Sequence, residues 1–185
     1  LNCSPYEALI NKFEPESKVK DIKNIFENLE SFLVPLVDKI IEKQKNDKLV
    51  SISNLMTAEQ QKEIGLYLME AIGFDFTRGR LDTSQHPFCG GAYQDVRITT
   101  RYNEKDPFSS LEGIMHETGH AMYEMNLPEN WKYQPAGQSR GMAMHESQSL
   151  LIEMQITRSR SFKKFLSNIL KNNFNLTSEC WHFEN

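Results

Sequence analysis

The sequence HETGH at residues 116–120 constrains the fold of this chain more than any other feature. Residues four apart lie one above the other on an α-helix, so the imidazoles of His116 and His120 point the same way and can bind one metal ion. Glu117 lies one residue round the helix, close enough to take a proton from a water molecule on that ion. The pattern predicts a helix with two metal ligands and a general base. The alternative is two surface histidines beside a solvated glutamate.

Two histidines leave a catalytic zinc site one ligand short, because such sites normally combine three protein groups with water. The candidates for the third ligand are His86, Glu124, His145, Glu146 and Glu153. Glu124 lies one helical turn after His120, and one straight helix rarely supplies three ligands to one ion. Glu153 is expected beside the site or in solvent rather than on the metal.

Glu146 is the favoured third ligand. It follows His116 by 30 residues, a separation that allows a loop and an antiparallel return, which brings Glu146 opposite the histidine pair. Neighbouring residues on a helix point about 100° apart, so His145 and Glu146 are not both expected to bind the metal. Spacing alone leaves the choice between them open.

Helical periodicity covers most of the chain. Apolar residues recur at helical spacing over residues 17–45, where Pro35 predicts either a kink or the start of a second helix. The capping box that begins at Thr57 predicts the start of a helix that Gly73 can end. A second capping box at residues 109–112 predicts a helix to about residue 126.

A small β element and a last long helix complete the predicted elements. Residues 74–77 and 95–101 alternate as strands do, with a turn at 78–80 and a glycine-rich loop at 89–91. A helical pattern then runs from about residue 141 to residue 171. The chain is therefore predicted to be mainly α-helical, with one small sheet.

Composition narrows the classes of partner. The 185 residues include 21 Lys and Arg against 25 Asp and Glu, and the net charge of −4 argues against nucleic acid as a partner. No run approaches the roughly 20 apolar residues of a membrane helix, so no membrane partner is expected. Three cysteines lie far apart, which is typical of free thiols in a reducing compartment and predicts a cytoplasmic location.

Several short blocks, taken in order, make the chain similar to the carboxypeptidase Taq family of metallocarboxypeptidases. The blocks are YEAL at 6–9, FEP at 13–15, FDF at 74–76, RGRLD at 78–82, HPF at 86–88, DVRITT at 95–100, HETGH at 116–120, HESQ at 145–148 and RSR at 158–160. Each block is short, but their ordered combination across nearly the whole chain is specific.

The resemblance implies a metal held by His116, His120 and Glu146, with zinc or cobalt as the ion and Glu117 as the general base and acid. It implies a helical metallopeptidase of the H-E-x-x-H plus Glu class (gluzincin-like), with a small sheet beside the active-site groove. The implied enzyme removes C-terminal residues from peptides with broad specificity and is commonly a homodimer.

Three further residues are candidates for the substrate groove. His86 and Arg97 match family positions near the groove, and His145 is kept with them as a neighbour of the proposed ligand. From the residues alone, Arg97 on a strand is as readily explained by pairing with Asp95 or Asp82 as by contact with a substrate.

The chain departs from the family in its length. Family members continue with I-R-x-x-A-D and G-x-x-Q-D-x-H-W blocks that are not found in this sequence. Residues 1–185 are therefore expected to be the central metal-binding part of a longer enzyme. The alternatives are a metalloendopeptidase of the same zinc class and a catalytically inert fragment.

Overall fold

A computed structural model describes residues 3–46 and 56–174, and within them the chain is mainly helical with one small sheet, as predicted. The helices are α1 (Pro5–Phe13), α2 (Val19–Gln44), α3 (Ala58–Ala71), α4 (Pro107–Met125), α5 (Met142–Leu150) and α6 (Arg160–Phe174), with a π-helical segment, Leu151–Thr157, between the last two. The strands are β1 (Gly79–Thr83), β2 (Phe88–Ala92) and β3 (Asp95–Thr100). None of the helices in these ranges is long and apolar enough to cross a membrane.

The described residues divide into two compact units, 3–46 with 140–142 and 56–139 with 143–174. In the first unit, the Ser4 side chain caps α1 and Glu7 completes the capping box. Helix α2 continues through Pro35, so the start of a second helix there, one of the two predicted outcomes, is wrong.

Helix α3 begins and ends where the sequence predicts. The Thr57 hydroxyl accepts a hydrogen bond from the Gln60 N–H, and the Gln60 side chain returns one to the Thr57 N–H. At the other end Gly73 has a φ of +96°, and the N–H groups of Gly73 and Phe74 donate to the carbonyls of Glu70 and Met69. This Schellman arrangement uses the left-handed conformation that glycine adopts without strain.

The sheet has the order β1-β3-β2, with β1 parallel and β2 antiparallel to β3. The strand predicted at residues 74–77 is wrong, and so is the turn at 78–80, where β1 begins. Asp75 accepts hydrogen bonds from the Thr77 N–H and hydroxyl and from Arg78 Nε. These bonds hold the backbone in a turn that competes with strand pairing.

The prediction of a glycine-rich loop at 89–91 is also wrong, because these residues form most of β2. Gly91 has a φ of +128°, and a Cβ at this position would lie 2.1 Å from the Asp95 carbonyl oxygen. The glycine therefore serves a close approach of two strands rather than a free loop.

Helix α4 is the centre of the second unit. It packs against β3, α3 and the π-helical segment, and Ile114 and Met115 lie in the core with Ile64 of α3 and Ile98 of β3. Its start differs from the prediction, since Asp106 caps the helix by accepting from the Ser109 N–H. Pro107 occupies the first turn, where its missing N–H leaves no hydrogen bond unmade.

The prediction of a single helix over 141–171 is wrong in one respect. The chain forms α5, the π-helical segment and α6, with a break at Arg158 and Ser159. The Ser159 hydroxyl accepts from the Phe162 N–H, which gives α6 a local N-terminal cap. The helical periodicity of the sequence continues across this break, so the sequence alone gives no sign of the break.

Candidate metal centre

Helix α4 and the segment formed by α5 and the π-helical turns run past each other in opposite directions. Their side-chain contacts pair residues in reverse order along the two segments: His145 with Glu124, Glu146 with His120 and His116, Glu153 with His116, and Arg158 with Glu112. The polar groups of the HETGH sequence therefore face a second row of polar groups at close range.

Gly119 sets the distance between these two segments. A Cβ at this position would lie 2.6 Å from both the Gln148 carbonyl oxygen and the Ser149 Cα. Because those atoms belong to backbone, they cannot turn aside as a flexible side chain would. The close approach places α5, with Glu146, against the histidines of α4.

The side chains of His116, His120 and Glu146 form a group that could hold a metal ion. Their ligand atoms all lie within 4.8 Å of one another. His116 Nε2 is 3.8 Å from one oxygen of Glu146, and His120 Nε2 is 3.4 Å from the other. Ligands on a tetrahedral zinc ion with bonds of about 2.0–2.2 Å lie about 3.3–3.6 Å apart. The donor types suit such an ion, and of the two distances to Glu146 the one from His120 lies in this range and the one from His116 is slightly longer.

Hydrogen bonds on the far side of each ring fix which nitrogen faces Glu146. His116 Nδ1–H donates to Glu153 Oε2 at 2.8 Å, and His120 Nδ1–H donates to the backbone carbonyl of His145 at 3.1 Å. In a neutral ring with its proton on Nδ1, the lone pair of Nε2 is directed toward the candidate site. This is the protonation pattern in which a histidine binds a metal through Nε2.

His145 contacts His120 on the Nδ1 side of its ring, away from Glu146. Its Nδ1 is 2.6 Å from His120 Nδ1, and its Nε2–H donates to Glu124 Oε1 at 2.7 Å. Glu124, a sequence candidate for the third ligand, therefore binds His145 rather than joining the group of His116, His120 and Glu146. The structure brings His145 close to the site through its contact with His120.

Glu117 is buried beside the same group. Only 7% of its surface is exposed, and burial raises the pKa of its carboxyl, while the charge of His116 acts in the opposite direction. Burial also lowers the pKa of His120, and the charges of His145 and His116 act in the same sense. The low-dielectric surroundings favour a neutral imidazole, which is the form that binds a metal.

The two other groove candidates lie farther out. His86 is exposed, and its charge lowers the pKa of Glu117, so it lies within electrostatic range of that carboxylate. Arg97 is exposed on β3 and donates from Nε and an Nη atom to Asp95, with its bonds between 2.8 and 3.1 Å. The pairing with Asp95 is one of the two that the sequence allows, and contact with a substrate stays a prediction.

A cavity of about 380 Å³ adjoins the site. Strand β2 and the loop after α4 supply most of its wall, and Glu124 and His145 line the side that faces the metal-binding group. Cys89 also lines it, and burial, with the charges of Glu117 and Glu124, raises the pKa of its thiol to about 12. The thiol is therefore protonated near neutral pH and does not act as a nucleophile.

The model of the carboxypeptidase Taq (M32) metallopeptidases matches the chain over residues 1–185. The chain belongs to this family. The family resemblance drawn from the sequence blocks is confirmed, and membership of this family of metallopeptidases implies a divalent metal.

Individual M32 proteins agree with this assignment. Carboxypeptidase 1 of Bacillus subtilis is 39% identical over 159 residues, and thermostable carboxypeptidase 1 of Pyrococcus furiosus is 36% identical over 172 residues. Among solved structures, Trypanosoma cruzi metallocarboxypeptidase 1 is 39% identical with a TM-score of 0.91 and matches 98% of this chain.

The M32 relatives are much longer than this chain. The matched region is 85% of this chain but 32% of the Bacillus protein, and 91% of this chain but 34% of the Pyrococcus protein. It is 36% of the Trypanosoma chain. The chain therefore spans about a third of the length of the relatives it matches.

One feature of this M32 site was not visible in the sequence. The role of Gly119 depends on a contact with a distant segment, and glycine within a helical pattern gives no sign of one. Glu153 was expected either beside the site or in solvent, and its bond to His116 Nδ1 shows that it lies beside the site. The seven-residue spacing of Glu146 and Glu153 places both on similar faces of a helix.

Replacing Gly119 tests the close approach of the two segments. Gly119→Ala should lower the free energy of unfolding by about 1–3 kcal/mol, because the methyl group would force backbone apart. Gly113→Ala is a matched control on the same helix, where a Cβ meets nothing within 4 Å. The control should stabilise the protein by about 0.5–1 kcal/mol through helix propensity. Urea unfolding measures both, and equal effects of the two variants would contradict the assignment.

Proposed function

We propose that residues 1–185 are the central metal-binding part of a metal-dependent carboxypeptidase, which hydrolyses the C-terminal peptide bond of peptides and proteins with broad specificity. The observation that carries the proposal is the group formed by His116, His120 and Glu146, whose ligand atoms lie within 4.8 Å of one another in a chain of the M32 family. Three protein ligands, with a remaining position for water or substrate, are typical of catalytic zinc sites.

Zinc is the proposed ion, with cobalt as the second choice. Two imidazole nitrogens and one carboxylate oxygen form a donor set that suits either ion. His116 and His120 would bind through Nε2 and Glu146 through its carboxylate. When bound, such a metal polarises a peptide carbonyl and lowers the pKa of water, which makes water a nucleophile near neutral pH.

Glu117 is proposed as the group that moves the proton. Its carboxyl lies one residue round the helix from His116, and burial raises its pKa toward the range in which a carboxylate works well as a general base. In the proposed reaction Glu117 accepts a proton from the attacking water and then delivers it to the amine that leaves. The peptide bond breaks, and the two products are a shortened peptide and a free amino acid.

Substrate recognition is proposed to be shared between this chain and the rest of the longer enzyme. A carboxypeptidase must pair the free carboxylate of its substrate with a positioned cation. His86, Arg97 and His145 are the proposed groove residues here, but Arg97 already binds Asp95 and His145 already binds Glu124. A cation for the substrate carboxylate is therefore proposed to come from the remaining length that the relatives have.

The location, oligomeric state and partners of the longer enzyme are also proposed. Cys3 and Cys89 are free thiols, which supports a reducing, cytoplasmic location. A homodimer acting on peptide substrates, with no nucleic acid or membrane as partner, follows from the family resemblance and the acidic charge balance.

The nature of the C-terminus of the substrate tests the proposed activity. A protein extended to the length of its relatives should release amino acids one at a time from a peptide with a free C-terminus. It should not cleave the same peptide with an amidated C-terminus, because the carboxylate is then missing. Mass spectrometry of the products measures this. Internal cleavage of both peptides would instead identify a metalloendopeptidase.

Removing the carboxylate of Glu117 tests the proposed mechanism. Glu117→Gln in the extended protein should keep one bound metal ion per chain but lose peptide hydrolysis, because general base catalysis contributes about 10²–10⁴-fold to the rate. Metal content and turnover are measured on the same preparation. Hydrolysis at the wild-type rate would show that Glu117 does not transfer the proton.

A further inference from the structure

Glu153 bonds the face of His116 that points away from the candidate metal site. Its Oε2 accepts a hydrogen bond from His116 Nδ1–H at 2.8 Å, while His116 Nε2 faces Glu146. We propose that Glu153 is a positioning residue of the metal site, which holds His116 in the Nδ1–H tautomer and fixes its ring so that Nε2 meets the ion. This inference rests on the proposed function, because the ion is the zinc proposed above.

The geometry separates this role from that of a ligand. The two nitrogens of an imidazole point in different directions, so the carboxylate that bonds Nδ1 lies on the opposite side of the ring from Nε2. Glu146 occupies the Nε2 side of both His116 and His120. Glu153 therefore acts on the ion through His116 and not by contact with it.

The carboxylate of Glu153 is itself held in place. Its second oxygen, Oε1, accepts from an Nη atom of Arg158 at 3.3 Å. The side chain of Glu153 is 20% exposed. A partly buried carboxylate with a partner on each oxygen has little freedom to turn away from His116.

The backbone that carries Glu153 has an unusual form. Glu153 lies in the π-helical segment Leu151–Thr157, and its carbonyl accepts a hydrogen bond from the Thr157 hydroxyl. Seven residues separate it from Glu146, which leaves both side chains facing α4 about two turns apart. Short π-helical stretches occur often at functional sites, where they change the direction in which a side chain points.

The second histidine provides an internal comparison. His120 Nδ1 has no carboxylate beside it: the backbone carbonyl of His145 lies at 3.1 Å and His145 Nδ1 at 2.6 Å, and a change at Glu153 removes neither acceptor. Only His116 depends on a side-chain carboxylate for the same purpose. A change at Glu153 should therefore alter His116 and leave the tautomer of His120 unchanged.

The experiment compares three variants of the chain as it stands. Glu153→Ala removes the acceptor, Glu153→Gln keeps an oxygen acceptor without the charge, and Glu112→Gln is the matched control. Glu112 also pairs with Arg158 and lies one helical turn before His116, but its carboxylate is bonded to the arginine and not to the imidazole. Zinc affinity is measured by competition with a chelator. The tautomer of each metal-free histidine is measured by ring-nitrogen NMR above neutral pH.

Zinc affinity should fall about 10–100-fold in Glu153→Ala and toward the lower end of that range in Glu153→Gln, and it should stay near the wild-type value in Glu112→Gln. The NMR spectra should show that His116 leaves the Nδ1–H tautomer in Glu153→Ala while His120 keeps it. Unchanged zinc affinity in both Glu153 variants, or an equal loss in Glu112→Gln, would overturn the proposal.

The two readouts separate this proposal from the proposed function. If the wild-type chain binds no zinc, the proposed metal site fails, and the tautomer of His116 in Glu153→Ala still decides the role of Glu153. A changed tautomer supports that role, and an unchanged one overturns it. If Glu153→Ala does not fold, Glu153→Gln decides by its zinc affinity, where a loss supports the proposal and the wild-type value overturns it.

Discussion

The contact between the backbone of α5 and Gly119 of α4 is the constraint on which the candidate site depends. Two histidines on one helix can share an ion, but their third ligand must come from another segment, and that segment must pass close by. A Cβ at position 119 would lie 2.6 Å from backbone atoms of Gln148 and Ser149. Glycine within the HETGH sequence thus brings Glu146 to 3.4 Å from His120.

Each histidine at the site makes contacts on both sides of its ring. Nε2 faces Glu146, and Nδ1–H is bonded to a fixed acceptor, which is Glu153 for His116 and a backbone carbonyl for His120. Burial adds to this arrangement, since it lowers the pKa of His120 and raises that of Glu117. The same low-dielectric setting favours the neutral form of the His120 imidazole and makes the Glu117 carboxylate accept a proton more readily.

Sequence reasoning located the candidate site but not the contacts that shape it. A helix through residues 116–120 and a second segment bearing Glu146 follow from spacing alone, and both are present. The strand at 74–77 failed because Asp75 bonds the backbone of its own turn, which alternation cannot reveal. The pattern around Gly91 predicts a loop, and Gly119 gives no signal in the sequence. Each glycine lets another backbone segment approach closely, and a sequence pattern shows the glycine but not that segment.

The most direct test of the proposed metal centre is the position of the ion. Crystals of this chain grown with zinc should show an anomalous scattering peak at about 2.0–2.2 Å from Nε2 of His116, Nε2 of His120 and a carboxylate oxygen of Glu146. Glu153 should remain bonded to His116 Nδ1 in the same crystals. A peak bound by Glu153 or by an Nδ1 atom, or no peak between α4 and α5, would contradict this account.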